Sequence, residues 1–276
     1  MKFKINTGSV LSDVRILWHQ GKQFIPDVTT AEVPGIFRGR PVINVSTVKL
    51  SAIQTQQLMD TCPTGAISEN PVRIDLGKCL FCGECQRAFP EHISFTKDYK
   101  IASASREDLI IEEGNNSPVI IQANQVRKEI RRYLRSSLKL RQVSAAGDNS
   151  CEWELNAAGN VNFDMGRFGI EFVASPRHAN GMVITGPISK NMAEPLQICY
   201  EAVPEPKILI LAGTDAISGG IFDGSPALNR QFIDSHHIDL YVPGNPVHPL
   251  TYINGVMDLL GGRWVPLVPC RLAVLS

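Results

Sequence analysis

Four of the seven cysteines fall between positions 62 and 85, and three of these form the run Cys79-Leu-Phe-Cys82-Gly-Glu-Cys85. Three thiols spaced by two residues can close on one compact metal centre. That requirement commits the surrounding chain to a small, loop-rich wrap rather than to long regular elements. Gly83 gives the backbone the freedom to pass close to the sulfurs. An iron–sulfur cube suits this run. Four-cysteine zinc sites are usually two C-x2-4-C pairs, so zinc is the poorer match, and free thiols are the third possibility. The N-terminal stretch MKFKINTGSVLSDVRILW lacks the continuous apolar core and cleavage site of a secretory leader. In a reducing compartment, seven cysteines point to metal or redox chemistry rather than disulfides. Cys151, Cys199 and Cys270 are scattered; Cys199 falls on the apolar face of a predicted helix, and Cys270 has no evident partner.

A C-x2-C-x2-C run normally continues to a fourth cysteine before a proline, and here that position is Phe89, followed by Pro90. In two-cluster ferredoxins the fourth cysteine of each run serves the other cluster. An upstream Cys-Pro is present, Cys62-Pro63-Thr64-Gly65-Ala66-Ile67. Its other three ligand positions are Leu58, Thr55 and Ala52. The first run keeps only the ligand that serves the second, and the second lacks only the one that would serve the first. Together Cys62, Cys79, Cys82 and Cys85 make one complete set. This stretch resembles a bacterial-type 2[4Fe–4S] ferredoxin domain reduced to one cluster, which implies a small α+β fold and one [4Fe–4S] cluster.

Charge is balanced, 27 basic against 27 acidic residues, so the total gives no general attraction to nucleic acid or anionic membrane. No apolar run approaches the roughly 20 residues a transmembrane helix needs. Three zones are expected: residues 1–108 with the clustered cysteines, a linker over 109–141, and an α/β region over 142–276. In the linker, Val126, Ile130, Leu134 and Leu138 recur every four residues and predict a helix over 122–140. It carries Arg127, Lys128, Arg131, Arg132, Arg135 and Lys139. No nucleic-acid-binding motif accompanies it, and a solvated or acidic-partner-facing surface is the expectation.

The last zone alternates strands and helices. Strands are expected at 181–185, 207–212 and 239–242, and helices at 192–203 and 250–260 with Gly261-Gly262 closing the second. Continuous apolar strands joined by helices predict a parallel sheet covered on both faces. Ordered matches run through Asn149-Ser-Cys-Glu-Trp-Glu154, Arg167-Phe-Gly-Ile-Glu-Phe-Val-Ala-Ser-Pro-Arg-His178, Thr185-Gly-Pro187, Tyr200-Glu-Ala-Val-Pro-Glu-Pro-Lys207, Ser218-Gly-Gly-Ile-Phe222 and Tyr241-Val-Pro-Gly244. Through these the region resembles the small subunit of group 4 [NiFe]-hydrogenases, including formate hydrogenlyase, and the homologous 20 kDa subunit of NADH:quinone oxidoreductase.

The resemblance implies a flavodoxin-like sheet and one further [4Fe–4S] cluster held in loops at the strands' carboxyl ends. At the implied ligand positions stand Asp148, Cys151, Asp215 and Asn245. Only one is a thiol, and a cubane wants soft sulfur donors, so a second cluster is not expected. Oxygen ligands from Asp148, Asp215 and Asn245 could suit a hard cation; hydrogen bonds among polar side chains are the plainer expectation. Glu154, Arg177 and His178 match residues that the family places toward its large subunit. The expectation is an electron-transfer subunit with no catalytic residue of its own. It would dock a hydrogenase-like large subunit and sit, through partner subunits including membrane subunits, on the cytoplasmic face of the inner membrane. The alternative is a non-redox scaffold with a structural or sensing cluster.

Overall fold

The computed structural model describes residues 7–20, 23–44, 50–69, 71–115, 117–122, 124–134 and 137–261. Cys270 lies outside them. The N-terminal region is made of short pieces: α1 (Thr7–Gln20), β1 (Pro41–Ile43), α2 (Ala52–Asp60), β2 (Ile67–Ser68), β3 (Arg73–Asp75), α3 (Glu84–Ala88), β4 (Ile93–Phe95) and β5 (Ile110–Glu112). Strands β1 and β4 pair antiparallel, and β2, β3 and β5 form a second antiparallel sheet. Ser51 opens α2 with a capping box, its hydroxyl accepting from the Gln54 amide while the Gln54 side chain returns to the Ser51 N–H.

The C-terminal region follows as α4 (Lys128–Tyr133), β6 (Leu138–Ser144), α5 (Ser150–Ala158), β7 (Ile170–Phe172), β8 (Gly181–Thr185), α6 (Lys190–Ala202), β9 (Ile208–Ala212), α7 (Thr214–Ser218), α8 (Gln231–Ser235), β10 (Leu240–Val242) and α9 (Pro249–Leu259). Five of these strands form one parallel sheet in the order β10-β9-β8-β6-β7. Numbered from its own first strand this is 2-1-3-4-5, the flavodoxin-like order, whose switch point lies between β6 and β8. Alternate residues of β9 serve opposite faces: Ile208, Ile210 and Ala212 join one buried core with α5 and α9, while Leu209 and Leu211 join the other. That two-sided burial is why β8 and β9 read as unbroken apolar runs.

The second core does not stop at the sheet. Leu58, Ile74, Leu76, Ile93, Ile101 and Leu109 belong to the same buried cluster as Ile184, Leu209, Leu211 and Ile217. The cysteine-bearing region is thus packed on one face of the parallel sheet. Ser103 exchanges backbone hydrogen bonds with Tyr241 (3.0 and 2.8 Å), covering the free edge of β10.

One expectation is corrected. Among the described residues of 122–140 the predicted helix is only the short α4, and β6 begins at Leu138, inside the stretch assigned to the linker. The apolar stripe is buried as its periodicity required, with Val126, Ile130, Leu134 and Leu138 at 5% exposure or less. Leu138 and Leu140 are buried on a strand, however, where a spacing of four is also two strand repeats. Nor is the basic residue Arg127 merely solvated. Its guanidinium grips the buried Asp239 carboxylate through Nε and Nη2, both at 2.8 Å. Asp239 also accepts from the Leu209 N–H. This pair therefore ties the chain entering the sheet region to β9 and to the segment leading into β10.

Candidate metal centre

Cys62 leaves the C-terminal end of α2, and the other three cysteines lie on the loop between β3 and α3 and in α3 itself. All four line one cavity, with Ile67, Ile74, Leu80 and Phe95 supplying apolar walls. Cys79 is buried, and Cys62, Cys82 and Cys85 are half-buried. The two ligand-bearing segments are tied directly, the Thr64 hydroxyl donating to the Lys78 carbonyl at 2.6 Å. Below them, Arg106 clamps Asp75 in a two-pronged pair (2.8 and 2.6 Å). The Asp75 carbonyl in turn receives the Cys79 N–H.

The loop bends to bring donors onto sulfur. Phe81, at φ 54°, takes the left-handed conformation that side chains rarely adopt, and Gly83 follows at φ 80°. The Phe81 N–H points at Cys79 Sγ and the Ala66 N–H at Cys62 Sγ, both at 3.3 Å. Arg38 Nε holds the turn by donating to the Phe81 carbonyl at 2.7 Å. Burial pushes the Cys79 thiol up to about 12 and Cys85 up to about 11, and neighbouring cysteines of the set add to each rise. Thiols so disfavoured as free anions bind metal only by exchanging their protons for it. Among the described residues no group of three His, Cys, Asp or Glu closes round a point as a single ion requires. The four sulfurs ring a cavity instead. Four soft donors, apolar walls and amides aimed at sulfur fit an iron–sulfur cube.

The second set of positions gathers at the carboxyl end of the parallel sheet. Asp148 and Cys151 follow β6, Asp215 follows β9, and Asn245 follows β10. Cys151 is buried, and a side chain at Gly213 would meet its Sγ at 2.6 Å. Burial pushes its thiol up to about 12. Asp148 spends one carboxylate oxygen on the Ser150 N–H and hydroxyl. The Asp215 carboxyl is raised, first by burial and then by the Asp148 charge. Asp148 and Asp215 repel each other, and the set offers one sulfur, so it does not fit a second cube. Glu154 is half-buried, its carboxyl raised by burial, while Arg177 and His178 are exposed in the turn Pro176–His178 after β7.

Two neighbours escaped the sequence. Glu152 is buried and accepts the Thr185 hydroxyl at 2.6 Å, tying the first turn of α5 to the end of β8. Thr214 donates from its hydroxyl to the Cys79 carbonyl at 2.8 Å, across 135 residues of chain. No local pattern marks either contact.

Comparison with known proteins places this half of the chain. Residues 149–259 match the family model described as NADH ubiquinone oxidoreductase, 20 Kd subunit. A probable membrane-bound hydrogenase subunit of Pyrococcus furiosus is 36% identical over 115 residues, spanning 42% of this chain and 69% of that protein. The chain belongs to the 20 kDa subunit family. Another relative, an NADH-quinone oxidoreductase subunit of Geotalea daltonii, is 42% identical over 109 residues, 40% of this chain and 64% of its own. A chain of the archaeal membrane-bound sulfane sulfur reductase is 26% identical, with a TM-score of 0.42, over 48% of this chain and 72% of that one. A superposition of that quality leaves the assignment to the sequence matches. The family match begins at Asn149 and takes in Cys151, Asp215 and Asn245. The four clustered cysteines lie wholly before it, so this family member carries its thiol-rich site in a region that the family model does not describe.

Proposed function

We propose that this chain is an electron-transfer subunit of a hydrogenase-like or NADH:quinone oxidoreductase-like complex, holding one [4Fe–4S] cluster on Cys62, Cys79, Cys82 and Cys85. The convergence of those four thiols on one cavity carries the reading. The cluster would supply one-electron transfer. The Phe81 and Ala66 amides soften the negative charge on two ligand sulfurs, and apolar Ile74 and Phe95 limit water at the centre. Residues 1–108 act as a ferredoxin-like module. Residues 142–276, together with β6 from Leu138, form the docking region, and the short α4 lies in the segment between them. Glu154, Arg177 and His178 face a hydrogenase-like large subunit, which performs the bond-breaking chemistry. The substituted positions Asp148, Cys151, Asp215 and Asn245 carry no second cluster. Among the described residues no helix is long and apolar enough to cross a membrane, and attachment to one runs through partner subunits.

A serine series tests the assignment. Under anaerobic purification, Cys62→Ser, Cys79→Ser, Cys82→Ser and Cys85→Ser each lose most of the iron and the EPR signal of the reduced protein. Cys151→Ser keeps both. A Cys82→Ser protein with full inorganic sulfide, or loss of iron in Cys151→Ser, defeats the proposal.

A further inference from the structure

We infer that Thr214, the first residue of α7 after β9, is a positioning residue for the N-terminal metal centre. The inference rests on the one-cluster reading above. Thr214 is fully buried and its backbone N–H is fixed by the Gly244 carbonyl at 2.9 Å. Its hydroxyl has one proton to give. The Cys79 carbonyl at 2.8 Å is nearer than the Gly244 carbonyl at 3.3 Å, so Cys79 takes it. Cys79 is the one buried member of the four, 8% exposed. The cysteine loop is pressed against the same element: a methyl group at Gly77 would stand 2.7 Å from Ile217 Cγ2 on α7.

A buried hydroxyl that donates to the carbonyl of a ligand residue fixes the direction of that peptide. It also draws electron density from it, in surroundings where water does not screen the effect. Negative charge added at the adjacent sulfur is thereby favoured, so the donor raises the centre's reduction potential. In the C-terminal half, three of the four corresponding positions carry Asp148, Asp215 and Asn245 in place of thiols. That half contributes to the thiol-rich centre through this hydroxyl, and movement of α7 would be felt at Cys79.

The test is an EPR-monitored redox titration of the full chain, purified without oxygen, as wild type, Thr214→Val and Thr214→Ser. Valine keeps the shape and removes the donor; serine keeps the donor. The expected result is wild-type iron content in all three, a lower midpoint potential with altered EPR line shape in Thr214→Val, and near-wild-type behaviour in Thr214→Ser. An unmoved potential in Thr214→Val, or an equal shift in Thr214→Ser, overturns the inference. Should Thr214→Val fail to fold by circular dichroism, Thr214→Ala against Thr214→Ser carries the same two outcomes. A wild-type chain without iron sinks the one-cluster reading and this inference together. Four irons with an unmoved Thr214→Val potential sinks this inference alone.

Discussion

Replacing Arg127 by methionine keeps most of the side-chain volume and removes both hydrogen bonds to Asp239. The Asp239 carboxylate is 2% exposed, so it cannot recover water in exchange. Removing one partner of a buried ion pair typically costs about 3–5 kcal/mol. The arginine side of this pair is 38% exposed, and the Leu209 N–H still donates to the carboxylate at 2.9 Å. Solvent screening and that remaining bond set the expected loss at the lower end, about 3 kcal/mol. For a protein of this size that is a fall of about 6–12 °C in Tm. Urea denaturation and calorimetry measure it, with Lys128→Met and Arg132→Met as controls on exposed neighbours, each expected within about 0.5 kcal/mol of wild type. Adding Asp239→Asn to Arg127→Met should recover part of that stability, because a neutral amide then replaces the buried carboxylate, while the Arg127 bond to the Lys207 carbonyl stays lost. An Arg127→Met protein as stable as its controls would refute the reasoning and return Arg127 to the solvated basic surface.

Two further predictions follow from buried groups. Burial pushes His248 down to about 4 from an ordinary value near 6.5, so the folded state resists a proton that the unfolded state accepts. Its stability contribution is present above about pH 6.5 and is lost as pH falls toward 4. At pH 5 the loss is at most about 2 kcal/mol, and His248→Asn, which keeps an N-cap for α9, should show less acid sensitivity in urea midpoints at pH 7 and 5. Equal sensitivity of the two proteins would contradict this. Gly186→Ala should destabilise by at least about 2 kcal/mol. Gly186 has φ +79°, and its added methyl would stand 2.4 Å from the Gly147 nitrogen. An alanine variant with wild-type thermal stability would mean that the β6 and β8 loops are not in backbone contact.

Much of the parallel sheet could be read from residues alone. Gly181–Thr185 and Ile208–Ala212 are continuous apolar runs because both of their faces are buried, and α9 announced itself by the apolar stretch after Pro249. The linker misled because a stripe every four residues is shared by helices and strands. Burial of Leu138 and Leu140 beside Ile170 and Gly181 decided for the strand. Strands of two or three residues in the N-terminal region hold too little periodicity to be seen. The four cysteines were legible because ligand spacing is a local property. The contacts of Thr214 with Cys79 and of Glu152 with Thr185 were not, since each depends on how distant loops meet at one end of the sheet.

The central claim concerns which of two donor sets holds iron, and elemental analysis answers it. Chain purified without oxygen should contain about four irons and about four acid-labile sulfides, as one cube requires. About eight of each would place a second cluster among Asp148, Cys151, Asp215 and Asn245, and a single zinc would remove the electron-transfer role altogether.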